Sequence, residues 1–481
     1  MRIETTVAED GGQASAPGAR FDQLKRVNLA LTAFVFLYSF WLTSEHTWDP
    51  DHVTKLGLGS DFFFWSQTDS ILQGQLHAVT PGRDWWVECF KIDLKCYGYF
   101  GIGPSILRIP AFLPLGDSVV GLVPLFIALG AGLAFWAGMD LVRQMLARWA
   151  ERDPTVSRSL ATRWLVVAGV LLGPASVLVL LAHGRVYEEA GVWCAAFLAL
   201  TLNLVYRWSR SRSNRCLYGA LVAGSMATLS RPSAIPAVIV LGVAIVLLGW
   251  KWGGRAVRLL GVGLMTIPPI LFAAVFIRKF GSLDFPWKSY GPYHIFPGFK
   301  ETIQANDEST VGARFILTNL VNYFRPDSIS VHLGDPLVTL DSLTRDDLII
   351  LPTTNAAQVW GGRVPSLTNV MPIPLLFTCV AVVQQGWLVV KRKVSGMELM
   401  PAVLLVAGLA AGAPAITYYA LAGRYLGDLY PLMAVGTAIA LPLVIERSRR
   451  DRWWARMIFP VVAVAAVAGC IILYQIRDSV F

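Results

Sequence analysis

The apolar residues of this chain are gathered into separated blocks of about twenty residues, the length an α-helix needs to cross roughly 30 Å of hydrocarbon. Only helices and closed barrels satisfy their backbone hydrogen bonds in lipid. Blocks this uniformly apolar lack the alternation of barrel strands. Hydrophobic residues make up 55% of the 481 and charged residues 15%, whereas a water-soluble chain carries about a quarter charged residues. The expected fold is an all-α polytopic membrane protein.

Candidate spans are 27–44, 118–142, 164–182, 189–206, 216–230, 233–250, 259–278, 373–390, 399–420, 429–445 and 457–475, about eleven in all. The connectors between them alternate in charge. One set comprises 143–163, 207–215, 251–258, 391–393 and 447–456. Together with the N-terminal tail, it holds 24 of the 41 Lys and Arg residues. Eleven spans put every basic connector on one side, which the positive-inside rule makes cytoplasmic. The N-terminus is then inside and the C-terminus outside. The net charge of +9 follows from this arrangement, so no nucleic-acid partner is implied. Residues 1–26 are polar, mixed in charge and rich in small residues, and read as a disordered cytoplasmic tail ahead of a membrane domain over 27–481.

Two outer loops are long, about 45–117 and 279–372, and loops of that size do more than connect. In the second, Val311, Phe315, Ile316, Leu320 and Phe324 fall on one stripe, which predicts a helix lying on the membrane surface. Trp287, Tyr290, Tyr293 and Phe296, like Trp85 and Trp86 in the first loop, suit either an interfacial aromatic belt or stacking on a sugar. Cys194, Cys216, Cys379 and Cys470 fall in apolar blocks and read as small packing residues. Cys89 and Cys96 lie seven apart in the first loop. On the outer side they are a disulfide candidate, the other reading being two unpaired thiols.

Four places could carry chemistry. In GSDFFFWSQTDSILQGQL, residues 59–76, a helix would be capped by Ser60, with Asp61 in its first turn at the outer membrane surface. A carboxylate there, beside aromatics that exclude water, can take a proton from a hydroxyl nucleophile. The same placement also serves a merely favourable helix start. Asp69 lies two turns further on. In LAHGRVYEEAG, residues 181–191, His183, Arg185, Tyr187, Glu188 and Glu189 crowd a short outer turn. They suit a site, or simply charges that cap and snorkel at span ends. In LSRPSAIP, residues 229–236, Arg231 sits between two apolar runs where an unpaired charge is costly. A guanidinium there suits a lipid phosphate, and it also suits headgroup contact. In ALAGRYLGDLYP, residues 420–431, Arg424, Tyr425 and Asp428 share another tight outer turn.

In this order, these features resemble the GT-C superfamily of polytopic glycosyltransferases. The nearer likeness is to the branch of protein O-mannosyltransferases and lipid A aminoarabinose transferases. The matching residues are an acid after the first span (Asp61), a G-R-x-Y-x-E turn (Gly184 to Glu189), the Arg231–Pro232 turn, and an R-Y-x-x-x-x-x-P turn from Arg424 to Pro431. YGYFGIGPSILRIP, residues 97–110, is similar to the second half of the first loop in membrane proteins of actinobacterial type. The likeness runs from about 27 to 446.

The resemblance implies a donor sugar on a polyprenyl phosphate, transferred outside the cytoplasm to a hydroxyl of a saccharide, lipid or protein acceptor. Asp61 would be the general base. Arg231 and Arg424 would stabilise the departing phosphate, and Glu188, with Arg185, Tyr187, Tyr425 and Asp69, would line the substrate site. Many relatives carry paired acids at the first site, whereas Phe62 follows Asp61 here. No cofactor is expected to be required, since arginines alone can neutralise a phosphate leaving group; a divalent metal is the open alternative, though none is indicated. The alternative is a transporter or flippase of a lipid-linked saccharide. That class places polar or broken helices near the bilayer midplane, whereas here the notable charges sit at outer span ends.

Overall fold

In a computed structural model the chain is a bundle of long helices capped at one end by its two long loops. The structure describes residues 19–44, 46–49, 63–78, 90–92, 95–98, 100–116, 122–152, 158–177, 185–252, 254–283, 299–327, 329–331, 338–340, 347–359, 366–391, 393, 396–450 and 464.

The first helix, α1 (Ala19–Thr43), starts within the segment read as a tail. Gln23, Leu24, Lys25 and Arg26 are good helix formers and carry the helix beyond the apolar block. After α2 (Phe63–Leu72), a two-stranded hairpin of β1 (Phe90–Ile92) and β2 (Lys95–Tyr97) leads into α3 (Gly103–Leu115). The bundle continues with α4 (Val123–Arg152), α5 (Arg158–Val177), α6 (Arg185–Ser211) and α7 (Asn214–Ser230). Next come α8 (Ile235–Trp252) and α9 (Gly254–Phe280). The second loop holds α10 (Phe299–Ala305), α11 (Ile316–Phe324), an antiparallel pair β3 (Ile329–Val331) and β4 (Val338–Leu340), then β5 (Gln358–Val359) and α12 (Leu367–Val370). Last are α13 (Pro372–Val390), α14 (Met400–Thr417), β6 (Ala420–Leu421) and α15 (Tyr430–Arg450).

Among the described residues, eight helices are long and apolar enough to cross a membrane. Two further expected spans are the shorter apolar helix Leu160–Gly173 and the 17-residue α7. The expected span at 457–475 lies outside the described residues, apart from Val464. The body is therefore an all-α polytopic membrane protein. α4, α6 and α15 bury most of their length at its centre, while α1, α9 and α13 leave large apolar side chains on the outside, as lipid-facing helices do.

At one end of the bundle two of the basic connectors, 143–163 and 207–215, come together. Asp140 on α4 receives hydrogen bonds from Arg143, Gln144, Asn203 and Arg207, the last two from α6. Beyond it, Arg210 pairs with Glu151 and Arg152 with Glu398. The opposite end carries both long loops. Phe90 of the first loop and Ile303 and Phe315 of the second share one buried cluster with Phe276 and Phe280 of α9 and Tyr419.

The aromatic and aliphatic stripe expected over 311–324 is only partly right. A 3-10 turn, Ala313–Phe315, precedes α11, so the helical phase does not run back through Val311 and Phe315. Phe315 is buried, and the outward apolar face is Leu317, Val321 and Phe324. The inward face is polar. Asn319 Nδ2 donates to the Ile416 and Tyr418 carbonyls at 3.0 and 2.6 Å, and Asn322 exchanges hydrogen bonds with the Ile349 backbone.

Candidate functional site

The break between α7 and α8 follows from Pro232. A residue before proline is driven from helical to extended backbone, and Arg231 sits at φ −150°, ψ 139°. A 3-10 turn, Pro232–Ala234, then starts the next helix. This projects Arg231 onto the late turn, where Gly423–Leu429 is itself a 3-10 segment. Arg231 Nη1 donates to Asp428 Oδ1 at 2.9 Å, and the guanidinium carbon lies 5.5 Å from the centroid of the Tyr425 ring. Ser233, two residues after Arg231, is buried with its Oγ 3.8 Å from Cys194 Sγ on α6. Two of the four expected places thus meet. The charge on Arg231 has a carboxylate partner, so this pair is neutral as a unit.

A second buried pair stands beside α6. Arg108, on α3, is fully buried, and its Nε and Nη2 donate to Glu189 Oε1 and Oε2 at 3.0 and 2.6 Å. This forked geometry is the strongest form of such a contact. Its guanidinium also lies 4.9 Å over the Phe126 ring. Glu189 belongs to the 181–191 segment, so one of its acids is fixed inside the protein. Arg108 went unnoticed in the sequence, although a lone arginine in the semi-apolar run PSILRIPAFLP was the available signal.

The start of α2 comes to the same place. Phe63, Phe64, Ala78, Cys96, Phe100 and Ala190 form one buried cluster, so the first residues of α2 and the residue after Glu189 belong to the same small core. Thr68 and Gln67 of α2 bond to Ser105 on α3. Asp61, two residues before Phe63, lies outside the described residues. Arg185, Tyr187 and Glu188 fall within α6, and Arg424 within the 3-10 segment, but their side chains are outside the described set. Asp69 is not drawn into the site. It accepts from Gln73 Nε2 at 3.0 Å one turn on, an exposed contact. Cys96 is disulfide-bonded, and Cys89 lies outside the described residues.

The second loop holds the late turn from the other side. Gly312 N–H donates to the Thr417 carbonyl and Tyr419 N–H to the Thr310 carbonyl. Tyr323 Oη bonds to both the carbonyl and the N–H of Ala422. β5 pairs in parallel with β6, Gln358 with Ala420 and Val359 with Leu421. Every residue from Thr417 to Ala422 is therefore clamped or adjacent to a clamp. Among the described residues no group of three His, Cys, Asp or Glu side chains is placed to hold a metal.

No protein-family model and no curated protein matches this sequence. Among solved structures the chain is similar to the Archaeoglobus fulgidus oligosaccharyltransferase in its apo form. The identity is 17% and the TM-score 0.49, over 94% of this chain and 56% of that one. It is similar also to the same enzyme tethered to an acceptor peptide containing the NVT sequon, at 16% identity and TM-score 0.48, over 94% and 55%. The chain thus spans little more than half the length of the structures it matches.

Proposed function

We propose that this protein is a GT-C-type glycosyltransferase. It moves a glycosyl unit from a polyprenyl-phosphate-linked sugar to an envelope acceptor hydroxyl at the outer face of the plasma membrane. The observation that carries this reading is the contact of Arg231 with Asp428 and Tyr425. It joins the two arginine turns at the end of the bundle where α2 and the start of α6 also gather.

In the proposed reaction, Asp61 takes the proton of the acceptor hydroxyl as its oxygen attacks the anomeric carbon. The bond from that carbon to the phosphate oxygen breaks, and polyprenyl phosphate leaves with the electron pair, inverting the sugar. The developing phosphate charge is met by Arg231, held by Asp428, and by Arg424. Donors aimed at charge that grows in the transition state give the largest catalytic contribution. Glu188, Arg185, Tyr187 and Tyr425 orient donor or acceptor. The sequence resemblance supports Asp61, and the shared buried cluster of Phe63 and Ala190 is what supports its nearness to the other groups.

The test is transfer from a panel of labelled polyprenyl-phosphate pentoses and hexoses in proteoliposomes. Asp61→Asn is expected to lose roughly a hundredfold or more of the rate. Wild-type transfer by Asp61→Asn, together with unchanged donor binding by Arg231→Ala, overturns the assignment. A reporter fused after Phe481 tests the count of eleven spans separately, and cytoplasmic placement would overturn it.

A further inference from the structure

Lys279, the penultimate residue of α9, is buried at 4% exposure. Its ammonium donates to the Gly98 carbonyl at 3.1 Å and to the Phe100 carbonyl at 2.8 Å. Among the described residues no carboxylate pairs with it. Among the described residues its partners are two neutral carbonyls, which is uncommon because burial of an ion is usually offset by an opposite charge. What it holds is informative. A Cβ at position 98 would come within 2.2 Å of the Phe63 ring, at position 101 within 1.6 Å of the Leu229 carbonyl oxygen, and at position 103 within 2.4 Å of Ser230 Oγ. The backbone here lies between the first residue of α2 and the last residues of α7. Only glycine allows that approach from both sides. Phe64 adds a ring contact with Phe100, the residue whose carbonyl Lys279 binds.

We infer that Lys279 is a positioning residue. By clamping the glycine-bearing strap at Gly98 and Phe100, it fixes the spacing between the start of α2, which follows Asp61, and the Arg231 turn, which follows Ser230. This rests on the proposed function for its catalytic meaning, though the clamp itself does not. Neither the strap nor α9 supplies a reacting group. A change at Lys279 therefore acts on the geometry of base and phosphate-binding groups, lowering kcat more than it raises KM.

The experiment compares wild-type protein, Lys279→Met, Lys279→Arg and Gly101→Ala in nanodiscs of phosphatidylethanolamine and phosphatidylglycerol. The first readout is hydrogen exchange by mass spectrometry, which needs no substrate. Lys279→Met is expected to raise exchange by roughly tenfold in the peptides covering 63–72, 98–103 and 229–233 together, leaving α13 and α14 unchanged. Lys279→Arg, which keeps the charge and the donors, is expected to restore protection. The second readout is transfer, where kcat falls by roughly ten- to a hundredfold in Lys279→Met and recovers in Lys279→Arg. Unchanged exchange in the three peptides, or a rise spread evenly over the chain, overturns the clamp. Full kcat in Lys279→Met, with transfer abolished in Asp61→Asn, overturns the positioning role. The expected exchange pattern with wild-type transfer by Asp61→Asn would instead sink the catalytic reading and leave the clamp standing. If Lys279→Met does not fold, Gly101→Ala decides. It keeps the lysine and displaces the strap, and the same exchange pattern is expected of it.

Discussion

Arg231 and Asp428 stand 197 positions apart in the chain and 2.9 Å apart in the structure, with side chains 14% and 3% exposed. The pair gives the guanidinium a fixed direction and sets a buried carboxylate against its charge. Arg231→Lys keeps a cation opposite Asp428 but loses the planar fork that suits phosphate oxygens. We expect it to retain the fold, judged by size-exclusion profile, and to lose transfer by roughly tenfold or more, an electrostatic contribution of the size removed with one transition-state donor. Asp428→Ala removes this buried carboxylate from the guanidinium and is expected to lower thermal stability as well as rate.

Arg108 and Glu189 make a stricter test of buried charge. Removing one partner leaves the other in apolar surroundings, at a cost of about 3–5 kcal/mol. Arg108→Met alone is therefore expected to lower the unfolding temperature sharply in detergent. The double variant Arg108→Met/Glu189→Met is expected to be more stable than either single one. Additive losses would show that the two side chains do not depend on each other.

The outward face of α11 offers Leu317, Val321 and Phe324, while its polar residues are spent on protein contacts. We expect this helix to rest in the outer leaflet, as an amphipathic helix does. A fluorophore on Val321→Cys should emit as in an apolar medium and be quenched by spin-labelled lipid. Emission matching a water-exposed label would exclude leaflet contact. Asn319→Ala, which leaves the Ile416 and Tyr418 carbonyls without that donor, is expected to loosen the loop by about 2 kcal/mol. Faster proteolysis between α11 and β5 would report it.

His77 gives the first loop a pH dependence. Burial and then the Lys95 ammonium hold its pKa below the ordinary 6.5. Below 6.5 the unfolded loop therefore binds the proton more readily than the folded one. Stability falls as pH drops through 6.5 toward the folded value, and His77 adds no slope above it. Limited proteolysis at pH 5.5 and 7.5 should show greater loop cleavage at the lower pH, and His77→Gln should flatten the difference.

The helices were legible because span length and apolar composition are local properties, and proline marked the Arg231 break in plain view. Of the basic connectors, those after α4 and α6 begin side by side, since Arg143 and Arg207 share Asp140. Pairings across the chain were not. Nothing near Arg108 indicates Glu189, 81 residues on, and Lys279 reads as an ordinary basic residue closing a span. Val311 and Phe315 misled because helical periodicity was carried back through a 3-10 turn. The turns bearing Arg231 and Tyr425 were each visible, but their contact needed the fold.

The parallel pairing of β5 with β6 makes the second loop a poor candidate for exchange as a cassette. A graft from a relative cut anywhere between α9 and α13 would bring a foreign β5 against the native Ala420–Leu421 and misregister the turn that begins two residues later. Exchanging this loop between proteins of the same fold would therefore mean moving loop and late turn as one inheritance unit, with the intervening helices α13 and α14 carried along.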